Sequence, residues 1–261
     1  MLGAVQGLTE FVPISSSGHL VLVPEALGWA PPGLAFDVTL HVASLIALVT
    51  YFAKDLWQVA HGLRTGDRAA RRLVVMLAIA TVPAVIAGFT LSSYFEGTFT
   101  DARSAAIQLV ITAVILVAAE RILLRNQRTS GRLRGKLRNM DDVNALDATL
   151  IGIAQAISIL PGISRSGSTI AAGLALGISR DDSARFAFLL AVPALAGAAL
   201  VEIPSMGAGD LTAGATVAGF LSSLVFSYVA IAGLLRYLRN NTLYPFAVYC
   251  VVAGVLFYLV V

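Results

Sequence analysis

The sequence predicts an all-α polytopic membrane protein, with six transmembrane helices plus two re-entrant helix–loop–helix hairpins in an inverted repeat. Three observations carry this prediction. Hydrophobic residues make up 57% of the 261 and charged residues 13%, where a soluble domain carries about 25% charged. Six apolar segments are long enough to cross a bilayer, which takes about 20 helical residues. Two more, 3–24 and 147–178, are apolar but broken in the middle by Pro, Gly and serine clusters. Non-helical backbone at membrane depth survives only inside protein or beside a water-filled cavity, so these two read as hairpins.

The spans fall near 34–53, 73–94, 104–124, 185–203, 213–235 and 243–261. Charge sets their sidedness. The segment 54–72 holds five basic residues and 121–138 seven; Arg180 and Arg185 precede the fourth span, Arg236 and Arg239 the last. One alternating topology puts all of these on the cytoplasmic side. The hairpin 147–178 then enters from the cytoplasm and 3–24 from outside, with three spans after each. The chain is read as one membrane domain, 1–261, made of a first half 1–125, a basic linker 126–146 and a second half 147–261. The halves insert in opposite directions.

The hairpins also match in sequence. Placing Gln6 on Gln155 without gaps puts Gly3 on Gly152, Thr9 on Ser158, Ser15 on Ser164, Ser17 on Ser166 and Gly18 on Gly167. Inverted repeats with broken helices meeting at the midplane are a known membrane architecture. The differences carry the chemistry. Glu10 lies over Ile159, Ser16 over Arg165 and His19 over Ser168. One hairpin supplies a carboxylate and an imidazole, the other a guanidinium.

In the first motif, Gln6 to His19, Gln6 and Glu10 are four residues apart and share a helix face. Pro13 stops that helix, and Ser15, Ser16 and Ser17 turn the chain and cap the next one. A bare carboxylate in a membrane costs about 2.5–3.5 kcal/mol on insertion scales, so Glu10 needs a cationic partner or a metal ion. The second motif, Pro161 to Thr169, places Ser164, Arg165, Ser166, Ser168 and Thr169 at a helix start, a pattern that suits phosphate. A purely structural alternative is a polar helix-breaking loop whose Arg165 pairs with Glu10. Asp37 and His41, four residues apart, could line the cavity's outer side or serve only structurally. Asp147 suits a helix N-terminus, Arg185 could snorkel to headgroups, and His61 is expected in a solvated loop.

Other classes are excluded. The net charge of +3 is modest and comes from loop clusters, so nucleic acid is not a partner. The single Cys250 excludes a disulfide framework. No cleavable signal peptide is expected, because the chain leads directly into a polar motif. There is no GxxxxGK[ST] loop and no HExxH helix. A phosphatidic-acid-type lipid phosphatase would need His and Asp where Ala171 and Ala175 stand.

Together the motifs resemble those of the undecaprenyl-diphosphatase family, known for bacitracin resistance. That pattern is [E/Q]xxxE, then PxSS[ST]GH, then PGxSRSG, and it is met here by Gln6 to Glu10, Pro13 to His19 and Pro161 to Gly167. The resemblance covers essentially the whole chain and extends to Ser179-Arg180, Ala184-Arg185-Phe186 and Pro193. It implies a multi-pass enzyme of the bacterial inner (plasma) membrane that removes one phosphate from a C55 polyprenyl diphosphate and supplies the monophosphate carrier for cell-wall synthesis. It also implies a divalent cation, Mg2+ or Ca2+, and a site facing the periplasm or outside. On that reading Glu10, Ser16, His19 and Arg165 are catalytic. Ser15, Ser17, Ser164, Ser166, Ser168 and Thr169 bind phosphate, and Glu10 with Gln6 holds the metal. Ser16 activated by His19 is the favoured nucleophile, with water or His19 itself as rivals. Membrane lipids surround the protein, and a homodimer is an option. Two departures stand out. Gln6 replaces a frequent Glu and removes one negative charge from the metal site. The first helix is also short, about 12 residues or about 18 Å, through a truncated chain, a misassigned start or a short hairpin. The alternative function is a polyprenyl-phosphate or anion transporter of the same architecture.

Overall fold

The computed structural model describes residues 1–30, 33–90, 101–129, 137–205 and 213–261. Among these, regular structure is helical apart from one bridge between Arg138 and Ile178. The helices are α1 (Leu2–Phe11), α2 (Ser16–Ala26), α3 (Leu34–Tyr51), α4 (Ala53–Thr65), α5 (Arg68–Thr90), α6 (Ala102–Thr129), α7 (Ala145–Ile157), α8 (Arg165–Ala175), α9 (Arg180–Glu202), α10 (Ala213–Leu238) and α11 (Tyr244–Val260). Five of them, α3, α5, α6, α9 and α10, are long and apolar enough to cross a membrane. The sixth expected span is α11, uncharged throughout but 17 residues long, about 26 Å. The expected 73–94 span runs past Thr90 into residues outside the described set, as do Arg132, Arg134 and Lys136 of the expected linker.

Both interrupted segments form two helices joined at a polar break. Helix α1 ends where Val12 turns to extended backbone, as a residue before proline must. The second helices of the two hairpins, α2 and α8, are each 11 residues long and begin and end at positions that the repeat alignment equates. Their N-caps are equivalent too. Ser15 Oγ accepts from the Gly18 amide at 3.3 Å and Ser164 Oγ from the Gly167 amide at 3.0 Å. The first helices pack reciprocally, α1 along α10 and α7 along α5. A Cβ added at Gly3 would lie 2.2 Å from the Gly219 carbonyl oxygen, and one at the equivalent Gly152 would lie 2.4 Å from that of Ala80. Each hairpin thus seats its first helix on a long helix distant in the chain, through a backbone-to-backbone approach that only glycine permits.

The segment 54–72, expected as a loop, is helical as far as Thr65 and stops at Gly66, whose φ of +82° closes the helix. It carries Trp57 mostly exposed, and His61 lies on it, also exposed. An amphipathic stretch this short lacks the apolar length that marks a span, so composition alone hides it.

The basic segments meet at one end of the bundle. Arg185 pairs with Asp55 at 2.5 Å and lies over the Phe52 ring. Its head is therefore committed to protein, where a headgroup contact was expected. Arg72 donates to the Val143 carbonyl at 3.1 Å. Arg138 bonds the Gly177 and Ser179 backbone and donates to Asp147, which also caps α7 through a box with Asn144. Glu120, fully buried, accepts from Arg180 Nε at 2.8 Å and Nη2 at 2.5 Å and from the Leu243 amide at 2.8 Å. That carboxylate ties α6, α9 and the start of α11 together.

Candidate active site at the meeting of the two hairpins

The hairpin breaks touch. Gly162 has φ +99°, and a Cβ there would lie 2.5 Å from the Ala105 carbonyl oxygen. The Gly162 amide donates to Ser17 Oγ at 3.5 Å, and Ser166 Oγ donates to the Val12 carbonyl at 3.1 Å. Thr112 of α6 braces the second break, donating to the Gly162 carbonyl and accepting from the Ser164 amide, both at 3.1 Å.

These contacts place α8's first residue, Arg165, against the last turn of α1. Arg165 Nη2 donates to Glu10 Oε1 in a direct ion pair. The other carboxylate oxygen, Oε2, accepts from Ser16 Oγ and from Gln6 Nε2, the latter at 2.9 Å. Glu10 is 5% exposed and Gln6 fully buried. Three polar groups from two hairpins therefore converge on one buried carboxylate, and a guanidinium with a hydroxyl beside it is equipped to bind and attack a phosphoryl group.

The remaining expected residues divide. Ser15 and Ser164 spend their hydroxyls as helix caps. Ser15 is also the one non-glycine residue with positive φ among those described, at +68°. Ser17 and Ser166 join the hairpins, and Thr169 Oγ1 donates to the Arg165 carbonyl at 2.8 Å. Ser168 Oγ is buried without a hydrogen-bond partner. His19 is not among the hydrogen-bond or ion-pair partners of Glu10, Ser16 or Arg165. Its Nδ1 lies 2.7 Å from the Ser15 carbonyl and its Nε2 2.8 Å from Tyr249 Oη, with the two rings stacked. A carbonyl only accepts, so Nδ1 carries the proton and Nε2 of the neutral ring accepts from the tyrosine.

The imidazole beside Glu10 is that of His41, with Nε2 at 3.8 Å from Oε2. Sequence reasoning left His41 open between lining the cavity's outer side and a purely structural role, and missed Tyr249 and Thr112. The signal for Thr112 was present: Gln108, Thr112 and Glu120 punctuate an otherwise apolar span, and intramembrane polar groups mark a function or a partner.

Beyond Glu10 and Arg165 lies a narrow cleft of about 10 Å³, lined also by Phe11, Ser166, Thr169 and Phe188, space for about one water. Phe11 packs edge-on against Phe188, and Phe188 against Phe52. This aromatic column closes the site toward the basic end. In the other direction stand His41 and Arg165, with side chains 31% and 26% exposed.

A cation would find oxygen donors here. Gln6 Oε1 is buried without a hydrogen-bond partner, on the same amide whose Nε2 donates to Glu10 Oε2. No group of three or more His, Cys, Asp and Glu converges among the described residues. That donor set suits a hard ion that completes its shell with water and substrate phosphate.

Fold and site together define a polytopic helical membrane protein in which two broken hairpins bring Arg165, Glu10, Ser16 and Gln6 together. A family profile described as "Bacitracin resistance protein BacA" matches residues 1–256, and the chain belongs to that family. It is 43% identical over 257 residues to the undecaprenyl-diphosphatase of Gloeobacter violaceus, covering 95% of this chain and 86% of that one. The undecaprenyl-diphosphatase of Geobacter sulfurreducens is 42% identical, with 97% and 94% covered, and that of Methanosphaera stadtmanae 39%, with 98% and 94% covered.

Proposed function

We propose that the protein is an undecaprenyl-diphosphatase, hydrolysing undecaprenyl diphosphate to the monophosphate and inorganic phosphate and so recycling the carrier lipid and conferring bacitracin resistance. The observation that carries this reading is the Arg165–Glu10–Ser16 constellation. It joins a phosphate clamp from one hairpin to a nucleophile and its proton acceptor from the other. The diphosphate displaces the carboxylate from Arg165, whose guanidinium then neutralises charge moving onto the leaving phosphate. Ser16 Oγ gives its proton to Glu10 and attacks the terminal phosphorus, and the bond to the bridging oxygen breaks, releasing the lipid monophosphate. Water then hydrolyses the phosphoserine to free phosphate. Ser16's existing hydrogen bond favours Glu10 over His19 as that acceptor. His19, held by Ser15 and Tyr249, orients the turn that carries Ser16. Glu10 and Gln6 would hold a divalent cation, Mg2+ or Ca2+, which would supply charge neutralisation to the diphosphate.

The reading also takes the halves as inversely inserted repeats and the basic end as cytoplasmic. The aromatic column then seals the cytoplasmic side, and the path past His41 faces the periplasm or outside, with the prenyl tail in lipid. Phosphate release from farnesyl diphosphate by the detergent-purified protein tests this. Release that stops in EDTA and returns with Mg2+ or Ca2+ is expected. Saturable binding without release would support the transporter reading.

A further inference from the structure

The chemistry at His41 extends the proposed reaction and rests on that reading of the site. His41 Nδ1 lies 2.8 Å from the Asp37 carbonyl oxygen. A carbonyl cannot donate, so Nδ1 carries a proton and Nε2 is the ring nitrogen left for a second partner. Nε2 faces Glu10 Oε2 across 3.8 Å. That separation leaves room for a cation touched by both atoms. Ligand atoms about 2.1 Å from one ion lie about 3.0 Å apart at right angles and about 4.2 Å apart across it, so 3.8 Å fits two ligands of a shared metal. The unpartnered Gln6 Oε1 belongs to the same cluster, because Gln6 Nε2 bonds that same carboxylate oxygen. The His41 ring is also placed as ligating imidazoles are, with its far nitrogen fixed by a backbone carbonyl.

We infer that His41 Nε2 is a direct ligand of the divalent cation, completing with Glu10 and Gln6 a mixed nitrogen and oxygen site. An imidazole in place of a second carboxylate shifts preference along the transition series, so Mn2+ and Co2+ bind better relative to Ca2+ than an all-oxygen site would allow.

The test uses the full-length protein in detergent, loaded with Mn2+ and read by electron spin-echo modulation. The wild type is expected to show coupling to a directly bound imidazole nitrogen, which changes isotope when the protein is labelled with [15N]histidine. His41→Gln is expected to lose that coupling, and His19→Gln to keep it. Equilibrium titration should show the Co2+ to Ca2+ affinity ratio falling about tenfold or more in His41→Gln. Wild-type Mn2+ bound without nitrogen coupling overturns the inference, and so does coupling that survives His41→Gln. If Glu10→Gln abolishes Mn2+ binding while His41→Gln leaves affinity, coupling and ratio unchanged, the inference falls and the cation-dependent phosphatase reading stands. If the wild type releases no phosphate with any ion, that reading falls instead, and the nitrogen coupling still decides the role of His41.

Discussion

Arg165→Ala is expected to damage stability as well as turnover, and a second substitution separates the two effects. The Glu10 side chain is 2% exposed, and among the described residues its Oε1 is held by Arg165. Removing one partner of a buried ion pair costs about 3–5 kcal/mol, because the other charge is left without compensation. Ser16 and Gln6 still donate to Oε2, so the loss should sit near the lower end, about 3 kcal/mol. Neutralising the orphan as well, in Arg165→Ala with Glu10→Gln, should recover all but about 1 kcal/mol while leaving the protein without phosphatase activity. Reversible unfolding in mixed micelles measures both, with phosphate release measured on the same samples. A single variant as stable as the wild type would refute the buried pair, and so would a double variant no more stable than the single.

Glu120→Ala should destabilise by about 3–5 kcal/mol, since Arg180 and the Leu243 amide lose one shared acceptor; unfolding should show this while the folded fraction retains turnover. Ser15→Ala should cost about 1 kcal/mol by losing the α2 cap while keeping positive φ. Ser15→Gly should be close to neutral, because glycine relieves the backbone strain and costs only a few tenths of a kcal/mol as a cap; thermal melts of the pair check the order. Ser16→Ala should lower phosphate release at least about a thousandfold if the hydroxyl is the nucleophile, and normal turnover would leave water as the attacking group.

Much of the fold was legible because bilayer physics leaves few choices. Apolar length marked the long helices, and the serine, glycine and proline clusters marked the breaks in both hairpins. The serine cluster after Pro13 announces the cap of α2, which Ser15 supplies; the matching cap at Ser164, expected as a phosphate ligand, emerges only from the structure, since a helix start after a break needs an acceptor for its free amides. The pairing of Arg165 with Glu10 was also within reach, because a lone carboxylate and a lone guanidinium at membrane depth each need a partner. What stayed hidden depended on helix rotation. Whether His19 or His41 faces Glu10 is decided by how α2 and α3 turn about their axes, and one sequence carries no record of that. Tyr249, 230 residues from His19 in the chain, was equally invisible, being one more aromatic residue in an apolar run. Helix α4 was missed for the opposite reason: its charges outnumber what a span tolerates, and amphipathic surface helices look like loops by composition.

A double-variant cycle on phosphate release from undecaprenyl diphosphate tests most directly whether two hairpins build one catalytic site. Glu10→Gln in the first hairpin and Arg165→Lys in the second should each lower kcat/KM by about a hundredfold or more. Combined, they should fall little further than the worse single variant, because groups that act as a unit are not additive. Losses that multiply, reaching about ten-thousandfold in the double variant, would place the two residues in independent roles and contradict the composite site.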